Sequence, residues 1–252
     1  MNPEQLISSA LDIGEQMLLS GAEVGRVEDS MRLICKAYGC KRVDAFTITS
    51  SIVVSLITAD DKHITQTRRI SGGQTDLTKV HRLNALSRQI CQEKPDYAYV
   101  EERICAICSA KSYPLWIEAL ASAMIAGAFT MFFGGSYFDG LAACILGLTC
   151  RYLTYFMERA GMNQVFVNVV ATFLLCLISS GLTRLHIGQD AEKMVIGTIM
   201  LLIPGVGLTN SIRDLISGDI MSGLLRFFNA LLVAAAIAAG YILAGHALGG
   251  GL

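Results

Sequence analysis

Along the first hundred residues the apolar positions return at helical steps and then at strand steps, whereas after Pro114 they fuse into long runs. Leu6, Ala10, Ile13 and Met17, then Val24, Val27, Met31 and Ile34, recur every three or four residues, with Glu, Asp, Arg and Lys on the other face. This predicts two amphipathic helices broken at Ser20-Gly21. From Val43 to Thr58 β-branched residues dominate, and Ala59-Asp60-Asp61-Lys62 before Ile64 to Ile70 reads as a hairpin turn, which predicts a small sheet. Helical spacing returns from Asp76 to Lys94 through Leu77, Val80, Leu83, Leu86 and Ile90. Pro95-Asp96 ends that helix before another begins near Tyr99. The expectation for residues 1–114 is a small α+β domain in the cytoplasm.

A helix that crosses a hydrocarbon layer of about 30 Å needs about 20 residues. Five runs after Pro114 reach that length, at roughly 115–133, 138–157, 164–183, 194–212 and 226–247. Val165 to Thr183, Met194 to Ile212 and Phe227 to Leu252 contain no Asp, Glu, Lys or Arg, while the first run carries Glu118 and the second has Asp139 at its start and Arg151 near its end. Links such as Gly134-Gly135-Ser136 and Gly161-Met162-Asn163 are too short for extramembrane domains. Unpaired backbone in lipid costs several kcal/mol per group, and no alternating pattern appears in these runs, so helices are the spanning elements. The fold class expected is an α-helical multi-pass membrane protein, five transmembrane helices in residues 115–252 preceded by the α+β domain. Arg151, Arg159, Arg213 and Arg226 on one side against Arg184 and Lys193 on the other place the N-terminus in the cytoplasm of a cell-membrane protein.

Composition sharpens this picture by exclusion. The chain is 53% hydrophobic and 16% charged over 252 residues, and its mean hydropathy is +0.51, which argues against a purely soluble enzyme. Fourteen basic and fourteen acidic residues precede Pro114, and six and seven follow it. Without a basic surplus to neutralise phosphates, nucleic acid is not the partner. The 8 cysteines read as reduced thiols. Cys105 and Cys108 form a Cys-x-x-Cys without a second pair or a His at ligand spacing, so no metal is expected and the pair reads as helix packing. No cofactor is expected either, because Gly72-Gly73 lacks the spacing and the Lys of a phosphate loop. His63 and His81 have no partnered nucleophile in the pattern and read as surface residues, and no activated Ser appears. The chain reads as a non-enzyme.

Candidate chemistry lies in polar groups at membrane depth, which must face a partner or water. Glu118 reads either as a helix-start carboxylate favoured by the dipole or as a functional acid. Arg151 begins a polar stripe through Thr154 and Tyr155 toward Glu158, with snorkelling to the interface as the competing reading. Asn168, Thr172, Cys176 and Ser179 follow at steps of four, four and three, and either line a site or make interhelical hydrogen bonds. Ile203-Pro204-Gly205-Val206-Gly207 places a breaker and two glycines midway along the fourth run, ahead of Thr209 and Asn210, so a broken helix is expected there. Backbone groups freed by Pro204 can bind a solute, as at the unwound sites of transporters, or simply kink the helix. The expected solute-binding set is therefore Asn168, Thr172, Ser179, Pro204, Gly205, Gly207, Thr209, Asn210 and Arg151, with Glu118 or Asp214 exchanging protons. Small residues at Ala119, Ala123 and Gly127 and at Ala235 and Ala239 are expected to permit close helix approach.

Two blocks carry a family resemblance: Gly21-Ala22-Glu23-Val24-Gly25-Arg26-Val27-Glu28 with the helix to Gly39, and Pro204-Gly205 through Asn210, Asp214, Gly218-Asp219, Gly223 and Arg226. In this order they resemble the bacterial threonine/serine exporter family, and the resemblance covers essentially the whole chain. It corresponds to the first half of the full-length exporters, which carry a further set of spans. The chain thus looks like the larger subunit of the split type, which works with a small all-membrane subunit and is linked in some bacteria to succinate export. The resemblance implies proton-driven efflux of a small polar metabolite, an amino acid of the threonine/serine kind or a dicarboxylate such as succinate, with the small subunit or a homo-oligomer as partner. The alternative is a non-transporting partner subunit whose cytoplasmic domain senses a ligand.

Overall fold

The structure is a computed structural model that describes residues 1–110 and 113–249. Helix α1 (Pro3–Leu19) starts with a reciprocal cap, in which Asn2 Oδ1 accepts from Gln5 N–H at 2.8 Å and Gln5 Oε1 accepts from Asn2 N–H at 3.2 Å. Pro3 follows at the first turn, where its missing N–H is not needed. The helix ends at Leu19, and Gly21 at φ +88° supplies the left-handed turn into α2 (Val24–Ala37).

Strands β1 (Arg42–Ile48), β2 (Ser51–Ile57) and β3 (His63–Arg69) form an antiparallel sheet in sequence order, with Ala45 opposite Val54 and Val54 opposite Gln66. The β-branched stretch from Val43 to Thr58 is thus two strands, because Thr49-Ser50 turns the chain within it. Helix α3 (Leu77–Glu93) is capped by Asp76, and α4 (Tyr97–Cys108) by Asp96, whose carboxylate accepts from Tyr99 N–H at 3.2 Å. Ile7, Leu11 and Met17 of α1, Met31 and Ile34 of α2, Ile52 and Leu56 of β2, and Leu83 and Ile90 of α3 share one buried core.

Among the described residues six helices follow: α5 (Leu115–Phe132), α6 (Tyr137–Arg159), α7 (Gln164–Arg184), α8 (Ala191–Ile199), α9 (Gly205–Ile216) and α10 (Ile220–Ala247). Of the described helices, α5, α6, α7 and α10 are long and apolar enough to cross a membrane, which makes this a multi-pass membrane protein. The run from Met194 to Ile212 differs from the other four, since it is two helices of 9 and 12 residues and neither crosses alone. Leu201 and Leu202 close tight turns on the carbonyls of Thr198 and Ile199 ahead of Pro204. The last three residues of the run Phe227 to Leu252 lie outside the described residues.

The chain forms two compact units, one of Met1–Lys111 with Gly205–Phe228 and one of Ser112–Pro204 with Asn229–Leu252. Within the second, α5 and α6 approach to backbone contact. A Cβ on Gly147 would stand 2.5 Å from Ser122 O and 2.9 Å from Ala123 Cα, and one on Gly127 would stand 2.9 Å from Gly140 O. Ala119, Ala123 and Gly127 therefore line a packing face, as expected. On α10 the close face is a different one: Ala235 is exposed, and Val233, Ala236, Gly240 and Ala244 are buried, with Gly240 against the Thr172 turn of α7. The spacing of Ala235 and Ala239 was a poor guide because α10 is alanine-rich on every side, so small size alone does not mark a face. Trp116, Leu120 and Met124 on α5, Leu141 and Ile145 on α6, and Leu231, Leu232 and Leu243 on α10 are exposed, an apolar surface suited to lipid.

Gly147→Ala should lower stability by about 1–3 kcal/mol, because its neighbours on α5 are backbone atoms that cannot yield. Gly181→Ala, which meets nothing within 4 Å, should be neutral or stabilising by up to about 1 kcal/mol. Thermal unfolding of both variants in detergent checks the contrast.

Candidate functional site

In the helical unit a cavity of about 170 Å³ is lined by Ser122 of α5, Cys150, Arg151, Thr154 and Glu158 of α6, Gln164 and Asn168 of α7, and Leu201 and Leu202 of the break after α8. Arg151 is positioned by Glu118, whose Oε2 accepts from Nε at 3.0 Å and also from Nη2. Both side chains are mostly covered, at 21% and 30% exposure. The guanidinium also lies 6.0 Å from the ring centroid of Tyr155, one turn along its own helix. Only one oxygen of Glu118 is used, so the pair holds Arg151 in place without saturating either group.

Asn168 is 4% exposed and its Nδ2 has no hydrogen-bond partner among the described residues. An amide donor buried without an acceptor costs about 1–3 kcal/mol, and here it borders a cavity that also holds a guanidinium. One turn on, Thr172 is fully buried with its Oγ1 likewise unpartnered, packed against Gly240. Ser179 donates to Ala191 O at 3.0 Å, which ties α7 to the start of α8 and makes it a packing residue. Thr154 Oγ1 donates to its own helix at Cys150 O, 2.9 Å away.

The remaining expected residues are not brought to this cavity. Pro204 ends the break that supplies Leu201 and Leu202 to the wall, while Gly205, Gly207, Thr209, Asn210 and Asp214 belong to the other compact unit. There Thr209 Oγ1 donates to Gly205 O at 2.9 Å on its own helix, and Asn210 Nδ2 donates to Gly21 O at 3.0 Å. Arg213 pairs with Glu23, Arg226 donates to Ala22 O at 2.8 Å, and Asp214, 2% exposed, faces Arg226 Nε at 3.4 Å. Ser222 Oγ donates to Thr47 O at 3.3 Å. The two sequence blocks that carry the family resemblance therefore meet in space, joined by Asn210, Arg213 and Arg226, with Asp214 beside Arg226.

Ser122 and Gln164 as cavity residues and Asp139 as a structural one were not among the expected residues, whereas Glu158 stands at the end of the expected Arg151 stripe. Ser122 stands four residues after Glu118, and Gln164 four before Asn168, so both extend stripes already visible. Asp139 is 2% exposed; its Oδ2 accepts from Ser136 N–H and Oγ at 2.8 Å each, and its Oδ1 accepts from Gln189 and Asp190 N–H at 2.5 and 3.0 Å. That joins the α5–α6 loop to the α7–α8 loop, a contact with no local signature. Cys105 and Cys108 are free thiols, and among the described residues no His, Cys, Asp or Glu group could hold a metal ion.

Residues 8–248 match the family model described as "Putative threonine/serine exporter". Similar proteins include the "Probable threonine/serine exporter" of Mycobacterium tuberculosis, 24% identical over 96% of this chain and 46% of that protein. The "Threonine/serine exporter" of Corynebacterium glutamicum is 28% identical over 93% of this chain and 50% of its own length. The "Probable succinate transporter subunit YjjP" of Klebsiella aerogenes is 24% identical over 90% of this chain and 88% of its length. The chain thus spans about half the length of these two exporters and most of the subunit. No solved structure matches it.

Glu28, at the end of the first block, accepts from Thr47 N–H at 2.7 Å and from Arg32 at 2.6 Å. Burial raises its carboxyl above the ordinary 4.5, outweighing the lowering by Thr47 and Arg32, with Asp219 adding to the rise. A raised folded-state value means that its stabilising contribution is complete below about pH 4.5 and is lost as pH climbs through the folded value. Glu28→Gln keeps an acceptor for Thr47 and removes the titration. Its stability relative to the parent should therefore improve as pH rises above about 4.5 and level off once pH has passed the folded value, as read by thermal unfolding against pH.

Proposed function

The chain belongs to the threonine/serine exporter family, and from that premise we propose that it exports a small polar metabolite, an amino acid of the threonine/serine kind or a dicarboxylate such as succinate, in exchange for protons. The observation that carries this reading is the cavity where Arg151 and the unpartnered Nδ2 of Asn168 border the same space. A guanidinium and an amide donor are the groups that bind a carboxylate. Leu201 and Leu202 bring the broken stretch before Pro204 to the wall, where displaced backbone can serve a polar solute. Thr172 extends the donor row along α7. In this reading Glu118 is the proton-exchanging acid: a solute carboxylate competes with it for Arg151, and protonation of the released carboxylate keeps the charge of the site constant.

The same reading puts residues 1–114 in the cytoplasm and makes residues 115–252 the membrane part. Three long helices, α5 to α7, carry the chain from the side of the N-terminal segment to the opposite side. In this reading the interrupted run 194–212 is the fourth of five spans, its helices of 9 and 12 residues giving about 30 Å of combined helix. That the Klebsiella relative is named a transporter subunit supports a partner subunit, which in this reading is a small membrane protein.

Reconstitution of the chain in proteoliposomes, alone and with a small partner subunit, tests the reading with labelled threonine, serine and succinate. Asn168→Leu and Arg151→Gln should lower flux at least about tenfold, the loss of one charge-assisted hydrogen bond. Glu118→Gln should keep solute exchange while abolishing acceleration by a proton gradient. Pro204→Ala should slow transport by straightening the break. Wild-type flux in all four variants overturns the site, and absence of flux with the partner present favours a ligand-sensing subunit.

A further inference from the structure

We propose that the groove between α3 and α4 is a binding site for a phosphate monoester carried on an apolar body. A cavity of about 420 Å³ lies there, and its polar lining is His81, Arg82 and Gln89 from α3 and Arg103 from α4. The groove is open because Ala85 and Ala106, both exposed, occupy its lining where larger side chains would fill it. Among the described residues no carboxylate lines it.

Seven of the 13 arginines have an acid within 4.0 Å, whereas among the described residues Arg69, Arg82, Arg88, Arg103, Arg159 and Arg184 have none; of these six, Arg82 and Arg103 share the lining of this one groove. Two guanidiniums facing one cavity without a counter-charge repel each other, and a single dianion offsets both. A phosphate monoester fits, since it carries close to two negative charges near neutral pH on one centre with three acceptor oxygens, matching two guanidinium forks. Gln89 is fixed at the α3 side by Glu93 Oε2 at 2.9 Å and Tyr99 Oη at 3.2 Å, so the polar wall is held in place. Beneath it, Leu86 and Ile107 are 3% and 9% exposed and give the rest of the ligand an apolar floor. A soluble nucleotide and an anionic lipid headgroup both carry this phosphate chemistry.

The test uses the full chain in phosphatidylcholine nanodiscs, with AMP, inorganic phosphate and adenosine as probes, and a second set of nanodiscs containing phosphatidic acid. Equilibrium dialysis of labelled AMP should show saturable binding, and adenosine should bind at least about tenfold more weakly because it lacks the dianion. Arg82→Gln and Arg103→Gln, both at exposed positions, should each weaken AMP about tenfold or more. Ala85→Leu, which keeps the charge but fills the groove, should also abolish binding. If phosphatidic acid instead raises the unfolding temperature, and the same three variants remove the effect, the site stands with lipid as its source. Binding that survives all three variants, or no response to AMP, inorganic phosphate or phosphatidic acid, overturns the proposal.

Discussion

The membrane part depends on the backbone contact between α5 and α6. Glu118 and Arg151 belong to different helices and meet because Gly147 lets α6 reach the main chain of α5 at Ser122 and Ala123, one turn from Glu118. In lipid such proximity comes from van der Waals packing, and small residues are what allow it. Once the helices touch, the ion pair is confined to a narrow gap, where a guanidinium without its carboxylate would be expensive. Packing geometry therefore precedes electrostatics in this fold: side-chain size at Gly127, Gly140 and Gly147 decides where the charge can sit.

The second constraint is the main chain itself. Pro204 removes one donor, and the helix it would have completed stops at Ile199. Leu201 and Leu202 recover their hydrogen bonds through tight turns, and both line the cavity. On the other side of α8, Gly197 lets the helix press against Thr130 of α5, where a Cβ would stand 2.6 Å from its amide nitrogen. A short helix wedged by a glycine on one side and ended by a proline on the other cannot slide to straighten the chain. The interruption is thus built into the packing.

Much of this was legible in the sequence because it follows from periodicity. The helices of the first unit, the break at Ser20-Gly21 and the interrupted run at Pro204 are all local events, dictated by apolar spacing and by residues with restricted backbones. The hairpin at Thr49-Ser50 was hidden because Thr and Ser serve both strand and turn. The site was legible only in part. Arg151 and Asn168 stood out as polar groups in apolar helices, but which of the expected residues share a cavity depends on rotation of one helix against another. Asn210 shows the limit: it follows the break in sequence, yet its amide is spent on Gly21 O. Nothing local to Asn210 announces a partner 189 positions away.

Three buried or half-buried carboxylates outside the sheet unit's core illustrate how hydrogen-bond saturation separates structure from chemistry. Asp139 accepts four hydrogen bonds over both oxygens, from the two loops it joins, and has no capacity left for a ligand. Asp214 faces Arg226 at 3.4 Å, and neither its Oδ2 nor the arginine Nε makes an aligned hydrogen bond, so that contact is a charge pairing. Glu118 is the one that offers a single oxygen to a single arginine beside a cavity. A proton-exchanging acid must be able to leave its partner, and a carboxylate held by one residue can do so, whereas one held by two loops cannot without opening the fold. Among these three acids Glu118 is the one whose arginine partner also lines a cavity, which is what the proposed exchange requires.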